Sequence, residues 1–148
     1  MEAKNETEQK KRVAVLFDAV RMSNELEKNL DQLMQMQSEN GGFVWFKGGP
    51  DDRYITQYIL TGIGHLNILK AVPANLKNKI DDVTKSGINY LDARMKEDYN
   101  RLVKSKADLT KQQISYSEIQ YLYMRSFFNS IAVPGTAIEL KKLRMYKN

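Results

Sequence analysis

The side chains that could support catalysis are few in this sequence. Its 148 residues include one histidine, His65, and no cysteine. The lack of cysteine excludes disulfides, thiolate metal sites, cysteine nucleophiles and an internal thioester within the chain. A single histidine cannot supply the paired ligands of an HExxH zinc site, and the chain has no G-x-S-x-G nucleophile motif. The sequence therefore predicts a protein that is not an enzyme, with no catalytic residue, cofactor or bound metal.

Two pairs of adjacent carboxylates, Asp51-Asp52 and Asp81-Asp82, remain as candidates for metal binding or acid–base chemistry. Adjacent side chains on a helix point about 100° apart, so neither pair converges well on one ligand. The first pair follows Pro50 and is interpreted as a helix cap, because an aspartate can accept hydrogen bonds from the first free amides. The second pair is interpreted as solvated surface.

A glycine-rich segment at residues 41–50 is the most unusual part of the chain. Its glycines frame four apolar residues, and the set comprises Gly41, Gly42, Phe43, Val44, Trp45, Phe46, Gly48 and Gly49. A phosphate-binding loop would need Gly-Lys followed by Ser or Thr, whereas Lys47 lies between Phe46 and Gly48. The aromatic residues instead predict a compact loop held in a core by its side chains. On this interpretation, replacing Trp45 with alanine mainly lowers stability.

Helical spacing of apolar residues dominates the rest of the sequence. It predicts one long helix or two shorter ones from residue 13 to about 40, with a break near Ser23-Asn24. Further helices are predicted at 53–70, at 74–104 and after a capping box formed by Ser115 and Glu118. A short final helix would use Ala137, Leu140 and Leu143. Two-residue alternation is scarce, so the fold class is all-α, with four to five helices in a partial toroid or a bundle.

Two of these predicted helices have an unusual composition, one in its glycines and the other in its aromatic residues. In the helix at 53–70, five residues share one apolar face, namely Ile55, Ile59, Gly62, Leu66 and Leu69. Glycine in a helix interior costs roughly 1 kcal/mol relative to alanine. The two glycines here, Gly62 and Gly64, therefore indicate that a neighbouring helix passes close by. The segment 116–128 is aromatic on more than one face, which indicates burial on more than one side and predicts self-association or a rearranged bundle.

The charge and composition of the chain argue against two further classes of protein, those that bind nucleic acid and those that span a membrane. The net charge is +5, but the basic residues are spread along the chain and interleaved with acidic ones, so a nucleic-acid-binding face is disfavoured. No apolar run approaches the roughly 20 residues that cross a bilayer, and the chain shows no signal peptide. Residues 1–12 are interpreted as a disordered or vector-derived N-terminus, and residues 13–148 as one helical domain.

Residues 33–66 carry a family resemblance. They read LMQMQSENGGFVWFKGGPDDRYITQYILTGIGHL. This segment resembles the helix–loop–helix unit of the thioester-type helical domain of the alpha-2-macroglobulin family, especially its Bacteroidetes members. The resemblance rests on Gln37, on Asn40-Gly41-Gly42-Phe43 and on a helix that contains Tyr54, Thr56 and Tyr58. The added Trp45-Phe46 and Gly48-Gly49 fit the bacterial type, and the segment 119–128 is similar to the same group.

The resemblance implies an α/α toroid, of which this chain is a fragment. It implies a protein-interaction or protease-trapping scaffold in bacterial cell-envelope defence, located in the periplasm or at the envelope. The partners that it implies are proteases and the other domains of the parent protein. The Cys-Gly-Glu-Gln thioester motif is absent, either through truncation or because the relative lacks a thioester.

Two other functions stay open at this stage. One is a fragment of a toroid-type enzyme such as a cyclase or lyase, which would require Asp51, Asp52 and His65 to converge in a pocket. The other is a generic helical adaptor.

Overall fold

The protein is all-α in the computed structural model, which describes residues 2–111 and 113–132. The described chain contains helices α1 (Glu2–Gln35), α2 (Arg53–Ile68), α3 (Lys77–Lys104) and α4 (Tyr116–Ser126). A short 3₁₀ helix at Ala74–Leu76 precedes α3, and two two-residue strands, β1 (Phe43–Val44) and β2 (Asp51–Asp52), precede α2. None of the described helices is long and apolar enough to cross a membrane. The predicted final helix, with Ala137, Leu140 and Leu143, lies outside the described residues.

The chain divides into two compact units, Met1–Gln35 and Met36–Asn148. The first unit is α1, which is continuous through Ser23-Asn24, so the single-helix alternative is the correct one. It begins at Glu2, where the sequence favoured a disordered N-terminus. Ion pairs at i, i+4 spacing (Glu6 with Lys10, and Glu8 with Arg12) support helix in this polar stretch.

Local sequence signals explain where α2 and α4 begin. Asp52 is the N-cap of α2, and its carboxylate accepts a hydrogen bond from the Ile55 amide at 2.9 Å. Ser115 and Glu118 form the capping box of α4. Both signals were predicted, because a cap involves residues within three positions of one another.

Helices α2, α3 and α4 pack around the core of the second unit. The fully buried apolar side chains of this core include Leu60, Ile88, Leu91 and Met124 of these helices and Leu76 of the 3₁₀ helix. At two places a glycine allows a neighbouring side chain to pack directly against a helix backbone. A β-carbon on Gly64 of α2 would lie 2.6 Å from Cγ of Phe127, and one on Gly87 of α3 would lie 3.1 Å from Leu60. The expected close neighbour is therefore present at Gly64, supplied by the residue that follows α4. At Gly62 the expectation was wrong, because no atom of the described residues lies within 4 Å of the position that a β-carbon would occupy.

The buried face of α2 differs from the apolar face that the sequence indicated. The helix buries Thr56, Gln57, Leu60, Ile63 and Gly64. Leu66 and Leu69, which were expected to share the apolar face, are 42% and 73% exposed. The reason is that α2 has apolar residues on more than one side, so periodicity alone does not select the side that packs.

Candidate interaction site at the glycine–aromatic turn

The glycine-rich segment begins with a tight turn after α1. The Gly41 amide donates to Ser38 O at 2.9 Å, the Ser38 amide donates to Gly42 O at 2.8 Å, and the Gly42 amide donates to Oδ1 of Asn40 at 3.0 Å. Gly41 has a φ of +92°, and a β-carbon there would lie 2.1 Å from the Ser86 carbonyl oxygen. Only glycine fits this position, because both the backbone conformation and the space exclude a side chain.

Gln37 joins this turn to α3. Its side-chain amide nitrogen donates to Gly41 O at 2.9 Å and to Val83 O at 3.0 Å. Gly42 is also closely packed, since a β-carbon there would be 2.8 Å from the Tyr90 ring. The turn is therefore attached to α3 by the hydrogen bond from Gln37 to Val83 O and by the packing of Gly42 against the Tyr90 ring.

Phe43 and Thr56 join the turn to the start of α2. Both side chains are fully buried. The Phe43 amide donates to Thr56 Oγ1 at 2.8 Å, and that hydroxyl donates to Asp52 O at 2.7 Å. In the short antiparallel sheet, Phe43 pairs with Asp52. One threonine hydroxyl thus links β1, β2 and α2. The strands themselves were not predicted, since two residues are too few to show alternation.

The other aromatic residues of the segment lie on the surface, which corrects the prediction of a loop held by all three rings. Phe43 is buried, but Trp45 is 59% and Phe46 is 64% exposed. Phe46 packs on Gly49 within a turn in which the Gly49 amide donates to Phe46 O, and Gly48 has a φ of +82°. Both Trp45 and Phe46 therefore have more than half of their surface in solvent.

Trp45 is the first of three exposed aromatic rings in a row, and the other two lie on α2. Its ring lies 6.5 Å from that of Tyr54 with an interplanar angle of 15°, and Tyr54 lies 6.5 Å from Tyr58 at 20°. Tyr54 and Tyr58 are 52% and 69% exposed. Such rings offer apolar area with little loss of side-chain freedom on binding, as is common at protein interfaces.

The polar candidates do not converge. Asp52 caps the first turn of α2, whereas His65 lies in its last turn, and thirteen residues along a helix span about 20 Å. The His65 ring instead contacts Phe127 at 4.8 Å, and its Nε2 lies 3.3 Å from the Tyr123 hydroxyl. Asp81 forms an exposed ion pair with Lys77, as expected for solvated surface. Across residues 2–111 and 113–132, no three histidine or acidic side chains are placed to hold a metal ion.

Asp51 forms a separate polar contact beneath the turn. Its carboxylate is hydrogen-bonded to the Tyr90 hydroxyl, which holds the pKa of Asp51 below its ordinary value. Burial, followed by this same hydrogen bond, raises the pKa of Tyr90. The Arg94 guanidinium lies 5.3 Å from the centre of the Tyr90 ring. These three groups pack next to the turn, and the titration of Asp51 and Tyr90 should affect stability.

The Asp51–Tyr90 contact predicts how stability depends on pH. Because the folded-state pKa of Asp51 is lowered, its contribution is complete well above pH 4 and is lost as the pH falls through the lowered value. Because the pKa of Tyr90 is raised, its contribution is complete below pH 10 and is lost as the pH rises through the raised value. Urea midpoints measured against pH should therefore fall at both ends, and Tyr90→Phe should flatten the acid end. An unchanged acid profile in Tyr90→Phe would contradict this assignment.

Sequence reasoning missed a buried polar cluster between α3 and α4. Asp92 accepts hydrogen bonds from the Tyr121 hydroxyl and from Arg125 Nε, the latter at 3.2 Å. Arg125 also donates to the carbonyl oxygens of Phe128 and Ile131. The available signal was the apolar character of 116–128 on several faces, because a charged residue within such a run is buried and needs a partner.

Comparisons with known proteins do not assign the chain to a family. No family model matches the chain, and no curated protein or solved structure is significantly similar to it.

Proposed function

We propose that the chain is a non-catalytic helical segment of a bacterial macroglobulin-like protein. In that protein it acts as an interaction scaffold for protease trapping in cell-envelope defence. One observation carries the proposal. Six of the residues on which the resemblance rests also bind one another in the turn, namely Gln37, Asn40, Gly41, Gly42, Phe43 and Thr56. A motif whose members hold a backbone turn has an architectural role, which fits a scaffold.

The arrangement of the polar side chains favours a scaffold over a toroid-type enzyme. A cyclase or lyase needs acidic groups that face one cavity, but Asp52 and His65 lie at opposite ends of α2. The carboxylates of Asp51 and Asp52 are engaged by Tyr90 and by the Ile55 amide respectively. Both aspartates thus serve the turn and the helix start.

The exposed aromatic row gives the scaffold a surface for contact. Trp45, Tyr54 and Tyr58 are each more than half exposed and lie in sequence along the turn and α2. The partners that we propose are other domains of the parent protein and proteases, with a location in the periplasm or at the cell envelope.

The reading frame around this sequence in the source genome tests the family assignment. We expect it to continue on both sides into a long protein with further helical hairpins and repeated β-domains. A frame that encodes an unrelated domain on either side would contradict the assignment, as would a complete protein of this length.

Binding to proteases tests the proposed role. Endoproteases with chemically blocked active sites would be titrated with the chain and with a Trp45→Ser/Tyr58→Ser variant, and binding would be measured by calorimetry. We expect the variant to bind more weakly, while the control Tyr116→Ser, a substitution at an exposed tyrosine of α4, binds as the wild type does. Equal binding by all three proteins, or no binding by any, would remove the protease-trapping role.

A further inference from the structure

Asn40 is the one asparagine of the chain that is followed by glycine. In such a pair the glycine backbone nitrogen can attack the side-chain amide carbon, because glycine has no β-carbon to hinder the approach. A new C–N bond forms as the C–NH₂ bond breaks, and ammonia leaves with the proton that the backbone nitrogen gives up. Water then opens the resulting succinimide ring at either carbonyl, which leaves aspartate or isoaspartate. The reaction consumes only water.

The folded turn holds both ends of the Asn40 side-chain amide. Its Oδ1 accepts a hydrogen bond from the Gly42 amide at 3.0 Å, and the side chain is also hydrogen-bonded to the Asp51 carboxylate. Because an ionised carboxylate only accepts hydrogen bonds, Nδ2 of Asn40 is the donor in the second contact. Rotation of the amide towards the Gly41 nitrogen therefore breaks at least one of these two bonds.

The attacking nitrogen is held as well. The Gly41 amide donates to Ser38 O at 2.9 Å, and Gly41 is buried. An amide nitrogen attacks only after it has lost its proton, and base rarely reaches a buried, hydrogen-bonded N–H. Deamidation therefore requires the turn to open locally. Its rate in the folded protein equals the rate in the unfolded chain multiplied by the fraction of time that the turn is open.

Neither product fits the closed turn. Aspartate at position 40 places a carboxylate next to that of Asp51, where the Nδ2 donor had been, and the two like charges repel. Isoaspartate adds a carbon to the backbone directly before Gly41. Even a β-carbon on Gly41 would lie 2.1 Å from the Ser86 carbonyl oxygen, so the segment has no space for a longer backbone.

We propose that Asn40 is a site of spontaneous deamidation which the folded turn protects, and that its modification then keeps the glycine–aromatic turn from closing. The released ammonia is lost, so the reaction does not reverse, and the deamidated fraction records how long the turn has been open. Gln37 controls the opening, because its side chain binds Gly41 O and Val83 O and so attaches the turn to α3. This property does not depend on the proposed family.

Peptide mapping by mass spectrometry tests the protection. The wild type should deamidate at Asn40 at least about tenfold more slowly in buffer than in denaturing urea. In buffer, Gln37→Ala should deamidate at least about fivefold faster than the wild type, the factor by which one ordinary hydrogen bond shifts an equilibrium. The control Thr61→Ala removes a hydrogen bond to Gln57 O within α2, away from the turn, and should deamidate as the wild type does.

Asn40→Asp tests the effect of the product without waiting for the reaction. The variant should have a lower urea midpoint than the wild type, and the decrease should be smaller when Asp51→Asn is also present, since the second change removes the opposing charge. Three results would overturn the proposal. They are equal deamidation rates at Asn40 in buffer and in urea, a Gln37→Ala variant no faster than Thr61→Ala, and an Asn40→Asp variant as stable as the wild type.

Discussion

Replacing Asp92 with alanine is expected to lower the free energy of unfolding by about 3–5 kcal/mol. Asp92 and Arg125 are both more than nine-tenths buried. Without the carboxylate, the guanidinium stays buried with no anion opposite it, and the hydroxyl of Tyr121 loses its acceptor. An unpaired charge in the interior is costly because the protein replaces water poorly as a solvent for ions. Urea unfolding followed by circular dichroism measures the loss.

The same helix provides a matched control for this prediction. Asp81, also on α3, forms an ion pair with Lys77 in which both side chains are more than half exposed. Asp81→Ala should change the free energy of unfolding by at most about 1 kcal/mol, the usual range for exposed pairs. Asp92→Asn should fall between the two, since the amide keeps one acceptor oxygen. Equal losses in Asp81→Ala and Asp92→Ala would show that burial does not determine the strength of this contact.

Phe43→Ala is expected to destabilise the protein by about 3–5 kcal/mol, whereas Trp45→Ala should change stability by only about 0.5 kcal/mol. The Phe43 ring is fully buried, so its removal leaves a cavity beneath the turn. The Trp45 ring is 59% exposed, and its centroid lies 6.5 Å from that of the Tyr54 ring. The sequence had predicted the opposite for Trp45, because a large aromatic residue between glycines is commonly a core residue.

Thermal unfolding of both variants measures this difference. Circular dichroism of the helices is the suitable probe, since Trp45 is the single tryptophan of the chain and its removal abolishes the intrinsic tryptophan signal. A Phe46→Ala variant serves as the control, with a side chain 64% exposed in the same segment. If Trp45→Ala lowered the melting temperature as much as Phe43→Ala, the outward position of the Trp45 ring would be wrong.

At the glycine–aromatic turn, the sequence predicts some features of the candidate site but not others. It identified residues 41–50 as a compact loop and the pair Asp51-Asp52 as a helix cap. The structure shows hydrogen-bonded turns in that loop and places the cap at Asp52 alone. The sequence did not identify Tyr90, whose ring packs against Gly42 and whose hydroxyl binds Asp51. Tyr90 lies about 40 residues later in the chain, and nothing near it in the sequence indicates which loop it will meet.

For helix α2, the sequence predicts where the helix begins but not which of its sides is buried. Its existence and its N-cap follow from residues within a few positions of one another. The side that it buries depends on Leu60 meeting Gly87 and on Gly64 meeting Phe127, which are contacts with α3 and with the residue after α4. As a consequence Tyr54, Tyr58 and Leu66 remain on the surface.

The sequence by itself determined that this protein is all-α, where α2 and α4 begin, and that glycines shape the turn at residues 41–50. These features depend on backbone preferences and on hydrogen bonds between near neighbours, which a short stretch of sequence contains completely. Only the tertiary structure decided which aromatic ring of that segment is buried, which side of α2 faces solvent, and that Asp92 meets Arg125. Those outcomes depend on contacts between residues far apart in the chain, where several apolar faces compete for one core and the best-packed arrangement prevails.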